Sequence, residues 1–148
     1  MDGSVEQSSS GSAGIVALFT NTSVEYWGGG RNAALVHTAP DGSADLSLND
    51  ATRVYYLTGA QHGPARFPSS VGQGQQPDNP LEYWWTMRAL LVAMTDWVTR
   101  GVEPPASQVP RLSDGSLVTV AKLKFPALPG VANPRTVQGP RAENHDLP

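Results

Sequence analysis

Two short apolar runs constrain what this chain can fold into: Ile15-Val16-Ala17-Leu18-Phe19 and, within Arg53-Val54-Tyr55-Tyr56-Leu57-Thr58, the stretch 54–57. A strand with one wet face alternates apolar and polar residues. A run that stays apolar suits a strand buried on both faces, as in a parallel sheet. Thr20 to Ser23 closes the first run with turn-prone residues, and Gly59 to Pro64 closes the second. The clearest helix follows. Met87, Leu90, Leu91, Met94, Trp97 and Val98 recur at helical spacing and form one apolar face. Asn79 reads as an N-cap, Pro80 as the first helical residue and Glu82 as the capping-box partner, with Gly101 closing the far end, which predicts a helix over 80–100. Strand, a connection of about 30 residues, strand, then a long amphipathic helix is the tail of an α/β pattern.

Between these elements, Val24-Glu25-Tyr26-Trp27 leads into Gly28-Gly29-Gly30. Residues 33–38 form a short apolar piece, helical or extended, and Ala39-Pro40-Asp41-Gly42 is a turn. Leu117 to Leu123 is expected as a strand, pairing in a small hairpin with Arg111-Leu112. Residues 1–14 are Ser/Gly-rich and read as a disordered leader, 15–138 as the folded segment, and 139–148 as tail. Thirteen prolines, clustered late, make the chain from Gly101 onward extended or irregular, and such a segment is expected to wrap something larger. Two buried strands and one helix make a poor core for Tyr55, Tyr56, Tyr83, Trp84, Trp85 and Trp97, which ask for more partner surface than the chain offers.

Composition narrows the function. At 148 residues the chain fits one domain. The net charge of −3, without a basic stripe, argues against nucleic-acid binding. Without cysteine there is no disulfide, thiolate metal site or cysteine nucleophile. No apolar run approaches the ~18 residues of a membrane span, and the polar N-terminus lacks a signal-peptide pattern. No cofactor is expected. The histidines lack the close spacing of a zinc site. Gly72-Gln73-Gly74 is a flexible loop rather than a phosphate cradle, since no strand leads directly into it and no P-loop lysine follows.

In doubly wound sheets the reactive groups sit at the carboxyl ends of strands. Both runs end in a candidate: Glu25 after the first, His62 after the second. Imidazole carries protons near neutral pH, and a carboxylate on its Nδ1–H fixes the tautomer and stabilises the imidazolium. Acid first and histidine later is the order of the second and third members of an α/β-hydrolase triad. Asp45 and Asp50 are rival acids, less well placed because they precede the second strand. His37 reads as a structural or surface histidine, and His145 as solvated tail. The plainer alternatives make His62 a loop histidine bound to backbone, Glu25 a surface or capping carboxylate after Ser23, and Trp84 and Trp85 packing residues.

The motifs add specificity. Asn21-Thr22-Ser23-Val24-Glu25-Tyr26-Trp27, Ala34-Leu35-Val36-His37-Thr38, Gly59-Ala60-Gln61-His62-Gly63, Pro104-Pro105, Pro110-Arg111-Leu112 and Phe125-Pro126-Ala127-Leu128-Pro129-Gly130 together resemble the C-terminal part of a bacterial α/β-hydrolase-domain family classed as serine esterases. The resemblance covers roughly residues 15–138. It implies the last two parallel strands of that fold, a long amphipathic helix and an irregular Pro-rich tail. It implies His62 as catalytic base, Glu25 as its acid, and a small-molecule carboxylic ester as substrate. Such a fold needs about five earlier strands and a G-x-S-x-G nucleophile elbow before the acid. No G-x-S-x-G occurs, and Ser10-Gly11-Ser12-Ala13-Gly14 falls one residue short of it. The expectation is a C-terminal fragment, or one subunit of something split, that meets its missing N-terminal half or self-associates. The alternative is a non-catalytic interaction module.

Overall fold

The computed structural model describes residues 14–27, 33–74 and 76–131. Expectations for 1–13, the glycine run 28–30, the tail 139–148 and His145 lie outside them. In chain order come β1 (Ala17–Thr22), α1 (Ser23–Trp27), a 3-10 turn at Ala33–Val36, β2 (Thr52–Leu57), α2 (Trp84–Arg100) and a 3-10 turn at Val120–Lys122. The two strands pair in parallel, from Ala17 opposite Thr52 to Thr22 opposite Leu57. Helix and strand are mixed around a parallel pair, as an α/β pattern requires.

β1 begins later than the apolar run and runs on through Asn21 and Thr22. Pairing rather than hydropathy sets its limits: Ala17 N–H donates to Ala51 C=O at 2.8 Å, which leaves Ile15 outside the ladder and 90% exposed. Burial on both faces holds at the middle of β2, where Val54 is 0% and Tyr55 6% exposed. It fails for β1, whose Phe19 is exposed.

The far edge of β2 is occupied by the segment around Ser107 and Gln108. Gln108 N–H donates to Val54 C=O, Tyr56 N–H donates to Gln108 C=O, and Val54 N–H donates to Ser107 Oγ. The Tyr55 hydroxyl reaches Pro105 C=O at 2.6 Å. This part of the Pro-rich stretch therefore packs on the chain's own sheet. Prolines suit it, because an edge segment need not donate at every residue. Fully burying a side chain such as Val54 is worth ~1.5–3 kcal/mol. Few side chains achieve it: among the described residues, Tyr26, Val54, Tyr55 and Ala60 form the buried apolar core.

α2 starts at Trp84, later than the predicted start at Pro80, and its N-terminus has no side-chain cap. Asn79 does accept from Leu81 N–H at 2.9 Å, but its amide also donates to Gly59 C=O at 2.6 Å. The Tyr83 hydroxyl donates to His62 C=O. These bonds lay residues 79–83 along the loop after β2, and helical geometry begins only beyond them. The C-terminus is as expected: Gly101 takes φ 68°, and Gly101 and Val102 N–H return to Trp97 and Asp96 C=O. One side of α2 (Met87, Leu90, Met94, Trp97) is half-buried, and Arg53 stacks on Trp97 with its guanidinium carbon 5.0 Å from the ring centroid. The expected hairpin does not form. Leu117 N–H does meet Arg111 C=O, but 111–117 is a turn and the predicted strand contains the 3-10 turn instead.

Candidate functional site

The two strands end side by side, so the loops after them meet. Thr22 closes β1, and α1 starts at the next residue. Thr22-Ser23-Val24-Glu25 is a capping box. Val24 N–H donates to Thr22 Oγ1 at 3.3 Å, and Glu25 Oε2 reaches back to accept Thr22 N–H at 2.9 Å. The Thr22 hydroxyl also donates to Glu25 Oε2. Glu25 Oε1 lies 2.5 Å from His62 Nδ1.

The acid and histidine expected from sequence are thus in contact, and the capping alternative for Glu25 is true as well. A single carboxylate starts the helix with one oxygen and meets the imidazole with the other. Partial burial pushes its acidity down, but the hydrogen bonds from the Thr22 side chain, His62 and the Thr22 backbone outweigh that and bring the pKa to about 2. Glu25 is therefore ionised at neutral pH.

The loop carrying His62 is fixed at several points. Gly59 is left-handed at φ 76°, and its N–H donates to Ser23 Oγ. Ser23 N–H donates to Ala60 C=O, joining the start of α1 to the loop after β2. Asn79 holds Gly59 C=O, Gln61 Nε2 donates to Gly63 C=O, and Tyr83 holds His62 C=O. The imidazole is 69% exposed while the Glu25 side chain is 16% exposed. A cavity of about 210 Å³ adjoins the pair, walled by Thr20, Leu57, Tyr83, Trp84 and Met87.

Behind α1 is an aromatic anchor. Tyr26 stacks on Tyr56 with centroids 4.3 Å apart, and its hydroxyl meets His37 Nε2 at 2.6 Å. His37 is buried, and desolvation holds its pKa below the usual histidine value. It is a structural histidine, of the two readings that its sequence left open. Tyr56 Oη accepts Trp27 Nε1–H and bonds to Ser23 Oγ, so the residues flanking Glu25 are tied to β2 on both sides.

The rival acids are elsewhere. Asp45 accepts Leu112 and Ser113 N–H at 2.9 Å each, which holds its carboxyl below the usual range and pins the 111–117 turn. Asp50 lines a polar depression of about 450 Å³ at the opposite end of β2, where Arg53 and Arg111 face Asp45 and Glu103. The loop at Gly72 is no anion cradle: a Cβ there would lie 2.6 Å from Asp78 Oδ2, so a carboxylate fills the space.

Among the described residues no group of three or more His, Cys, Asp or Glu could hold a metal ion, and no helix is long and apolar enough to cross a membrane. Sequence reasoning missed Thr22, Tyr83 and Asn79 as parts of the site. The Thr-x-x-Glu spacing was a usable signal for the first, whereas the other two act through contacts that no local pattern announces. Comparison with protein-family models, with curated proteins and with solved structures found no match.

Proposed function

We propose that this chain is the C-terminal part of an α/β-hydrolase fold and carries the general base and its acid partner for a serine ester hydrolase, with the nucleophile on polypeptide outside these 148 residues. The observation that carries the reading is the 2.5 Å contact between His62 Nδ1 and Glu25 Oε1 at the carboxyl ends of neighbouring parallel strands. An ionised carboxylate on Nδ1 favours the tautomer with its proton there, which makes Nε2 the basic nitrogen. Nε2 would take the proton of a serine hydroxyl as its oxygen attacks the ester carbonyl, then deliver it to the departing alcohol. Glu25 stays ionised throughout and stabilises the imidazolium. The substrate class is a small carboxylic ester.

Two features support an assembly that completes the sheet. Parallel sheets are normally covered on both faces, yet Phe19 of β1 is exposed. Among the described residues β1 pairs with β2 alone, so its outer edge is open to a further strand. The test is to combine this chain with an α/β-hydrolase N-terminal half bearing G-x-S-x-G and to assay a small chromogenic ester. Activity that falls by ~10³-fold or more in His62→Ala is expected of a triad base. Equal rates for the two chains would remove the assignment.

A second reading, a non-catalytic interaction module or self-associating fragment, is favoured by the outer side of α2. There Trp84, Leu91 and Val98 follow one another at helical spacing, flanked by Trp85 and Val92, all 45% exposed or more. Size-exclusion chromatography and calorimetry separate the readings. A cooperatively melting monomer argues against a fragment that needs a partner, and a molten or oligomeric species argues for one.

A further inference from the structure

We infer that Thr22 is a positioning residue: the capping box that starts α1 also fixes which way the Glu25 carboxylate faces, and so aims it at His62. Its catalytic meaning rests on the hydrolase reading, but its geometry does not.

A glutamate carboxylate rotates in a broad, roughly two-fold well. Here that freedom is removed from one side. Thr22 offers two donors, its N–H and its hydroxyl, and both go to Glu25 Oε2. A hydroxyl has one proton to give. That of Thr22 is directed by its surroundings, because Val24 N–H approaches the same oxygen from another side at 3.3 Å. With Oε2 held twice, Oε1 is turned to His62 Nδ1 at 2.5 Å. Thr22 is 5% exposed, so water is poorly placed to replace its hydroxyl. The ladder position opposite Leu57 sets Thr22 itself, which makes the end of β1 the fixed point from which the acid is oriented.

Thr22→Val keeps the shape and the N–H but removes the hydroxyl, and Thr22→Ser restores it. The free chain, isotopically labelled, is followed by NMR through the Glu25 carboxyl carbon and the His62 ring nitrogens. In Thr22→Val the Glu25 titration is expected to move up by about 1–2 pH units, the worth of one hydrogen bond to a charged group. The population of the His62 tautomer protonated at Nδ1 should fall with it. Thr22→Ser should return both toward the parent chain. Thr22→Asp provides a variant in which helix capping is kept while a like charge replaces the donor. It should raise the Glu25 titration further with α1 intact. If the valine variant keeps α1 intact and leaves Glu25 and His62 unchanged, Thr22 does not position the acid.

In an active assembly, Thr22→Val should lower kcat about tenfold with KM unchanged. If the NMR changes occur but no assembly cleaves esters, the positioning role stands and the hydrolase reading falls.

Discussion

His62 Nδ1 and Glu25 Oε1 meet at 2.5 Å across 37 positions of sequence, although neither residue lies in a strand or a long helix. Glu25 is held in its ionised form, with a folded pKa of about 2 against an ordinary value of 4.5. A depressed carboxylate binds fewer protons folded than unfolded, so it adds stability above its unfolded pKa and loses it as pH falls through its folded one. The stability gap between the parent chain and Glu25→Gln should therefore be full at pH 6 and shrink steadily between about pH 4.5 and 2. Denaturant titrations at several pH values read this directly, and a pH-independent gap would contradict it.

Asp45 provides the contrast that separates a structural carboxylate from one facing the histidine. Its oxygens hold Leu112 and Ser113 N–H rather than any imidazole. Asp45→Ala should loosen the 111–117 turn, seen as faster amide exchange at Leu112 and Ser113. The Glu25 titration should stay where it is in the parent chain. A shifted Glu25 titration would mean that the two carboxylates share one electrostatic site.

Tyr26 anchors the helix that carries Glu25. Tyr26→Phe retains the stacking on Tyr56 and removes the hydroxyl that meets buried His37 Nε2. Leaving a buried polar atom without that partner costs about 1–3 kcal/mol. Chemical denaturation should show a loss of this size, whereas a neutral substitution would indicate that the ring alone anchors α1.

Gly101 ends α2 at φ 68°, and a Cβ there would meet open space. Gly101→Ala should cost about 1–2 kcal/mol from backbone strain alone. The change should appear as a lower thermal stability. A larger loss would point to contacts beyond the backbone.

The sequence was legible where one local force dominates. The apolar run of β2 and the left-handed glycine after α2 are such cases: β2 and the C-terminus of α2 formed close to their expected limits. Two capping boxes show where legibility stops. Asn79-Pro80-Leu81-Glu82 has the composition of a helix start, but Asn79 is pulled to Gly59 and the helix waits until Trp84. Thr22-Ser23-Val24-Glu25 has the same kind of pattern and does cap, in a helix of five residues too short to show any periodicity. Local chemistry proposed both, and tertiary hydrogen bonds chose between them. The meeting of Glu25 with His62 depended on strand order, which follows from the parallel pairing of β1 with β2 and not from spacing along the chain.

The occupied edge of β2 has a consequence for assembly. Among the described residues, Gln108 is bonded to Val54 and Tyr56, which leaves the outer edge of β1 for a further strand. Growth past that edge alone stops after a single addition between like copies. A twofold axis relating two copies would join their β1 strands antiparallel, because a closed symmetric pair reverses strand direction. A strand supplied by a different polypeptide carries no such restriction and can continue the parallel order. The direction of whatever strand lies beside β1 therefore distinguishes self-pairing from completion by another chain, whatever chemistry the assembly performs.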